Sequence, residues 1–217
     1  NGMIYMRGQA RDYDIWRQLG NAGWVWDDVL PYFKNSEEYY AGADEMHGAG
    51  GEWRVEEQRL TWEILDAYRD AAAEAGIPKG EDFNRGDNEG SSYFRVNQRG
   101  GWRWNTSKGF LRPAKERANL EVLTHAQARR VLFDGSRAIC VECDHTDGRK
   151  AFLANAEVIL CAGAIGSPQL LELSGVGDPD VLAKHGIEVR RALPAVGENL
   201  QDHLQLRVIL RVAGVKT

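Results

Sequence analysis

Cys140, Cys143 and His145 form a C-x-x-C-x-H cluster, a set of thiols and an imidazole that invites zinc coordination or redox chemistry. Residues 137 to 144, however, have the pattern of a strand, and strand side chains alternate between faces. Cys140 and Cys143 then point apart and cannot share one tetrahedral ion. No second ligand pair stands at a suitable spacing, so both thiols are expected to be metal-free and unpaired. His47, His125, His185 and His203 are candidates for acid-base work because imidazole titrates near neutrality. No nucleophile elbow and no histidine-acid pair accompanies them, and each is expected to be solvated or structurally bonded. Trp102 and Trp104 flank Arg103, and aromatic faces can receive a cationic substrate. Packing of a core and a lid is the commoner use of seven tryptophans.

Two glycine clusters come close to a phosphate-cradling fingerprint. Gly175-Val176-Gly177 begins one, but Asp180 stands where the third glycine belongs and the preceding element is helical, so a simple turn is expected. Gly48-Ala49-Gly50 fails likewise at Trp53. Any nucleotide contact must therefore come from other backbone.

The elements that position these residues change character along the chain. Residues 9 to 40 predict two short helices: Tyr13, Trp16 and Leu19 recur at helical spacing, Gly20 stops the run, and Asp27 and Asp28 suit the first turn of the next helix. Pro31 is expected near the end of that first turn. Residues 41 to 53 are glycine-rich loop. The segment from Thr61 to Ala75 predicts a helix with Leu65, Tyr68, Ala72 and Ala75 on one face, ended by Gly76 and Pro78. Residues 79 to 109 show no clear period and are expected to be loops. Beyond Pro113 the runs Leu120–Thr124, Ala128–Phe133, Arg137–Glu142 and Lys150–Leu153 predict strands, with tight turns at Asp134-Gly135 and Asp147-Gly148 and an antiparallel meander as the result. Val158–Cys161 is continuously apolar, as a doubly covered parallel strand would be, and leads to a helix from about Ser167 to Leu173. Asp178 caps a further helix with Pro179 at its first position, and Gly186 closes it.

The chain has 217 residues and a formal charge of −5, with 43% hydrophobic and 27% charged residues. That composition fits a globular mixed α/β protein and argues against nucleic-acid binding, which concentrates basic residues. No apolar run approaches the roughly 18 residues that span a bilayer. Three cysteines make no disulfide framework, and a reducing, cytoplasmic setting is expected. The sequon at Asn105-Thr106-Ser107 matters only to a secreted chain.

Three stretches carry more than composition. Asn1-Gly2-Met3-Ile4-Tyr5-Met6-Arg7-Gly8, followed by Asp12-Tyr13-Asp14-Ile15-Trp16, resembles the flavin-bordering loop of the glucose-methanol-choline (GMC) oxidoreductases. Ala162 through Gly177 (AGAIGSPQLLELSGVG) is similar to that family's second signature, and Val196-Gly197-Glu198-Asn199-Leu200-Gln201-Asp202-His203 to its continuation. Gly23-Trp24 through Phe33-Lys34, His47-Gly48-Ala49-Gly50-Gly51 and Trp102 through Thr106 extend the resemblance over nearly the whole chain.

The resemblance implies part of a Rossmann-like FAD-binding α/β domain over residues 1–205, with lid and loop insertions at 1–110 and the start of a substrate-binding domain at 206–217. It implies that the backbone of Asn1, Gly2, Met3 and Ile4 borders FAD at its isoalloxazine and pyrophosphate side. Ala128 would meet the adenine portion, where the family usually carries a β-branched residue, and Ala162 and Gly163 would line the cofactor at the end of a strand. The family's first strand and its glycine-rich fingerprint are expected upstream of Asn1. Its catalytic histidine and partner histidine or asparagine are expected downstream of Thr217, so no catalytic residue is assigned within the chain. The implied activity is oxidation of a primary, choline-like alcohol to an aldehyde, with hydride passing to flavin N5. The rival is a non-catalytic α/β binding or assembly module on the same scaffold. By itself the chain is expected to be colourless, to retain no FAD, and to self-associate through the uncovered apolar run at Val158–Cys161.

Overall fold

The computed structural model describes residues 2–215, and contacts divide the chain into two units, 1–121 with 210–217 and 122–209. In the first unit the helix α1 (Ala10–Gln18) opens where the Asp12 carboxylate accepts the Gln9 N–H at 2.8 Å. Helix α2 (Trp26–Ser36) carries Asp27 and Asp28 at its positive end. Because α2 starts at Trp26, Pro31 falls inside the helix rather than in its first turn, and its ring removes the N–H that would meet the Asp27 carbonyl. The two helices bury Tyr13, Trp26 and Val29 with Phe33 and Leu30 against them. Tyr13 lies 5.7 Å from Trp26 and 5.9 Å from Phe33 between ring centroids, spacings at which aromatic pairs contribute about 0.5–1.5 kcal/mol beyond burial.

These helices lead into a mixed four-stranded sheet. Strands β1 (Ile4–Tyr5), β2 (Glu37–Tyr39), β3 (Trp53–Glu57) and β4 (Arg95–Val96) lie in the order β1-β4-β3-β2, with β2 and β3 parallel and the other pairs antiparallel. The loop between β2 and β3 crosses the end of α2 so closely that a Cβ on Gly48 would overlap the Lys34 carbonyl. Helix α3 (Glu63–Glu74) ends as its glycine predicts: Gly76 adopts φ +89°, and the Ile77 N–H returns to the Ala72 carbonyl at 2.9 Å. Its expected apolar face is half open, with Leu65 43% and Tyr68 55% exposed.

Residues 79 to 109 are less irregular than the sequence suggests. Besides β4 they hold a hairpin, β5 (Gln98–Arg99) and β6 (Trp102–Arg103), turned by Gly100-Gly101 with both φ positive. Two-residue strands are too short to show a hydrophobic period. A π-helical turn, Ser107–Leu111, then runs into the short α4 (Arg112–Ala114).

The second unit contains the predicted meander. Strands β7 (Gln127–Asp134), β8 (Arg137–His145) and β9 (Gly148–Leu153) pair antiparallel in that order, turned at Gly135-Ser136 and Thr146-Asp147, each one residue from the expected pair. Helix α5 (Gly163–Leu173) lies against β7, where the Ser174 hydroxyl accepts the Val131 N–H at 2.8 Å. Asp178 caps α6 (Pro179–Lys184) by accepting from the Asp180 and Val181 amides at 2.8 and 3.3 Å, and Leu182 is buried beneath it.

Three expectations fail here. Val176–Gly177 is not a turn but strand β10, paired in parallel with β11 (Arg191–Ala192). Neither Leu120–Thr124 nor Val158–Cys161 forms a strand: among the described residues neither finds a ladder partner, and Ile159 is 73% exposed. An apolar run becomes a strand only where a neighbouring backbone takes its hydrogen bonds.

Candidate functional site

In the second unit the start of α5 takes no cap from a side chain, unlike that of α6. The helix begins four residues before the expected Ser167, and Pro168 lies within it. Ala162 at the N-cap has no side-chain acceptor, and the first turn contains no acid. The first amides of the helix therefore keep unused donors and the positive end of the helix dipole. Gly163 adopts φ +86°, and a Cβ there would meet nothing within 4 Å, so the backbone is open on that side. The Ala162 N–H is occupied by the Ser167 hydroxyl at 3.0 Å, which ties the entry of the helix to its second turn. Ala128 sits near the start of β7, half-buried, opposite Cys143 and beside a register break that leaves Arg129 unpaired in the ladder.

In the first unit, Gly2, Met3 and Ile4 form one open segment, while Asn1 lies outside the described residues. A Cβ on Gly2 would meet nothing within 4 Å. Met3 has φ +67°, a left-handed conformation that costs a non-glycine residue about 1–3 kcal/mol. It is held there by the Asn97 N–H on its carbonyl at 2.8 Å and by pairing of Ile4 with Val96.

Behind that segment lies a buried polar network with no individual sequence signature. The Arg7 guanidinium donates to Glu37 Oε2 at 2.9 Å and to the Met46 carbonyl at 2.6 Å, and the Arg7 N–H donates to Asn84 Oδ1 at 2.8 Å. Asn84 Nδ2 returns to the Tyr5 carbonyl at 3.2 Å. Glu37, fully buried, also accepts the Gly48 N–H at 2.9 Å and lies 3.1 Å from His47 Nδ1. His47 Nε2 lies 3.0 Å from Asp82 Oδ2, off the line of a well-aligned hydrogen bond, and the ring stacks on Tyr39 at 3.7 Å. Burial alone would depress the imidazole, but Asp82 and Glu37 outweigh it and His47 is raised above its ordinary value. Burial likewise acts to raise Asp82, yet His47, the Asn84 N–H and the Tyr39 hydroxyl hold it well below the carboxylate range. Tyr39 is pushed up, chiefly by burial.

His47 is thus a bonded core histidine, and contrary to the expectation of no histidine-acid pair it lies between Glu37 and Asp82, carboxylates 10 and 35 residues away in sequence that no local motif joins to it. His125, His185 and His203 are exposed. The aromatic pair is not a free cation site, because Arg99 already covers Trp104 at 4.4 Å while Trp102 stands 76% exposed. Cys140 and Cys143 are both buried, and the unbroken β8–β9 register through them puts their side chains on opposite faces. Among the described residues no group of three or more histidine, cysteine, aspartate or glutamate side chains is arranged to hold a metal. A shallow depression of about 530 Å³ beside Leu30, Pro31, Lys34 and Gly48 touches the network only at His47 and Gly48 and involves neither Gly2–Ile4 nor the start of α5. Its Lys34 ammonium is occupied by the Asp44 and Glu45 carbonyls at 2.8 and 3.0 Å.

The chain is mixed α/β, with a strained open loop in the first unit and an uncapped, glycine-marked helix start in the second. The family model described as GMC oxidoreductase matches residues 1–205, and the chain belongs to that family. It is 43% identical over 209 residues to the oxygen-dependent choline dehydrogenase of Pectobacterium atrosepticum, covering 95% of this chain and 37% of that protein. Pyridoxine 4-oxidase from Mesorbium loti matches in structure with a TM-score of 0.86 at 34% identity, over 94% of this chain and 40% of the other. An FAD-dependent oxidoreductase from Chaetomium thermophilum matches with the same TM-score of 0.86 at 31% identity, over 93% and 37% of the two chains. The chain thus spans a little over a third of the length of the curated relative described above. No helix among the described residues is long and apolar enough to cross a membrane.

Proposed function

We propose that the protein carrying this chain is an FAD-dependent oxidoreductase that oxidises a small primary alcohol of the choline type to an aldehyde. The observation that carries the cofactor reading is the uncapped start of α5, with left-handed Gly163 open to approach and no acid in its first turn. Free amides and a positive helix end fit an anionic dinucleotide, and small Ala162 and Gly163 admit it without displacing side chains. The first unit offers the Gly2–Ile4 backbone, with Asn1 before it, and β7 offers Ala128. When bound, the flavin supplies the hydride acceptor. This chain's residues bind and orient: Met3 and Gly2 present backbone, and the amides of α5 hold negative charge. The substrate class rests on the relative named for choline oxidation.

Residues 206–217 begin the substrate-binding part, and the setting is reducing, in keeping with three free cysteines. The isolated chain holds no FAD and self-associates through exposed apolar residues such as Ile159. Light scattering that shows only monomer at raised concentration would refute the latter. For the activity itself, flavin-loaded full-length protein is assayed with choline and with uncharged primary alcohols. Aldehyde formation with flavin reduction is expected, preferring choline. A reducible flavin that no primary alcohol reduces would overturn the reading.

A further inference from the structure

We propose that His47 is a positioning residue: held as an imidazolium between Glu37 and Asp82, it fixes the Gly2–Arg7 segment in the conformation that faces the cofactor. The proposal rests on the cofactor reading above for that segment. A neutral imidazole has one donor and one acceptor nitrogen, whereas both ring nitrogens of His47 face carboxylate oxygens, at 3.1 Å from Glu37 and 3.0 Å from Asp82. An ionised carboxylate only accepts, so a neutral ring would set a lone pair against one of them. The doubly protonated ring donates from Nδ1 to Glu37 and sets a positive N–H beside Asp82, an ion pair off the line of an aligned hydrogen bond.

The surrounding charges support the same state. On β2, Glu37 pairs with Arg7 at 2.9 Å and Tyr39 stacks on the ring. From the loop before β4, Asp82 lies 3.8 Å from Arg95, which in turn lies 3.4 Å from Glu57. From its own loop, Asp44 accepts the His47 N–H at 2.7 Å and pairs with Arg85 at 2.7 Å. The buried centre thus holds Arg7 and Arg95 against Glu37 and Asp82, with the exposed Glu57 at its rim, and His47 is the group that lies directly between the two carboxylates. The titration is consistent with this, since His47 is raised.

The network reaches the segment by two routes. Through Glu37, His47 fixes the Arg7 side chain and with it the Met46 carbonyl. Through Asp82, which accepts the Asn84 N–H at 2.8 Å, it fixes Asn84, whose side chain grips both the Arg7 N–H and the Tyr5 carbonyl. Tyr5 and Arg7 are thus clamped immediately after the strained Met3. Loss of the His47 proton leaves one of the two buried carboxylates facing a ring lone pair, and the clamp loosens where the segment is held.

The test uses full-length protein with 15N-labelled histidine, hydrogen exchange read by mass spectrometry, and FAD titration, across pH 6 to 9. Both His47 ring nitrogens are expected to be protonated at neutral pH, their signals assigned by their absence in His47→Gln. Exchange of residues 2–8, corrected for intrinsic rates, is expected to rise roughly tenfold as His47 deprotonates, and the FAD dissociation constant to rise by a similar factor over the same pH range. Exchange in β7 and β8 should show no such step. His47→Gln should show the raised values at every pH, with no step. If that variant fails to fold, the wild-type coincidence of the three titrations decides alone. A neutral His47 at pH 7, or exchange in residues 2–8 that ignores its titration, overturns the proposal. The cofactor reading is tested separately by Ala162→Asp in the other unit. Undiminished FAD binding there would overturn that reading, and with it the role given to His47, while leaving the exchange step intact.

Discussion

Replacing Glu37 by glutamine should be among the most damaging single changes in the first unit. The carboxylate is fully buried and takes the Arg7 guanidinium at 2.9 Å, His47 Nδ1 at 3.1 Å and the Gly48 N–H at 2.9 Å. The amide keeps the shape and one acceptor oxygen, but it removes the negative charge from between Arg7 and His47, and in either orientation its NH2 group faces His47 Nδ1. Breaking one side of a buried, hydrogen-bonded ion pair costs about 3–5 kcal/mol, against a total stability of about 5–15 kcal/mol for a domain. Glu38 is the control. It pairs with Arg99 at 2.7 Å and Arg54 at 3.4 Å, but both partners reach solvent, and Glu38→Gln should change stability by no more than about 1 kcal/mol. All seven tryptophans of this chain lie before residue 105, so urea unfolding followed by tryptophan fluorescence reports on the first unit. Adding Arg7→Met to Glu37→Gln should cost less than the sum of the single changes, because each already breaks the same pair. A loss below about 1 kcal/mol for Glu37→Gln, or equal losses at positions 37 and 38, would refute the reasoning.

The same network sets a pH window. His47 titrates above its unfolded value, so its contribution is complete below about pH 6.5 and is lost as pH rises through its folded value. Asp44, lowered to about 2 where the Arg85 pair and the His47 and Met46 amides outweigh burial, and Asp82, lower still, contribute above about pH 4 and are lost as pH falls. Urea midpoints should therefore peak between about pH 4 and 6.5, and a midpoint still rising from pH 7 to 9 would contradict this. Gly175→Ala should detach β10 from β11, because Gly175 has φ +83° and a Cβ there would overlap the Glu188 carbonyl. About 1–3 kcal/mol should be lost, measured by thermal unfolding, and an unchanged midpoint would refute it. Cys161 is exposed while Cys140 and Cys143 are buried, the latter with its thiol pushed up chiefly by burial. A thiol reagent should therefore modify one cysteine quickly and the others only on unfolding, and three equal rates would contradict it.

Much of the fold was legible because the signals were local. Asp178-Pro179, Gly76 and the alternating runs after Ala128 each specify their element through capping, left-handed backbone or the period of two, and the helices and meander lie where those residues put them. The failures were tertiary. Val158–Cys161 has the composition of a covered strand, but composition does not supply a ladder partner. The hairpin of Gln98–Arg99 and Trp102–Arg103 is too short for periodicity, and only its Gly100-Gly101 turn could have shown it. At the candidate site, small Ala162 and Gly163 and the Gly2–Ile4 loop were recognisable by resemblance. The strain at Met3 was not, since methionine carries no mark of positive φ. The charged centre at Arg7, Glu37, His47 and Asp82 joins residues far apart in sequence, and only His47 among them stood out as a candidate.

The account turns on the start of α5, and Ala162→Asp separates binding from folding there. An acid at a helix N-terminus favours the helix by about 0.3–1 kcal/mol, while the same charge repels an anionic dinucleotide held by those amides. The direct measurement is FAD titration of full-length wild-type and Ala162→Asp protein, with thermal unfolding of each apoprotein alongside. At least a tenfold loss of FAD affinity with unchanged or raised apoprotein stability is predicted, and wild-type FAD affinity in the variant would contradict the assignment of this helix start to the cofactor.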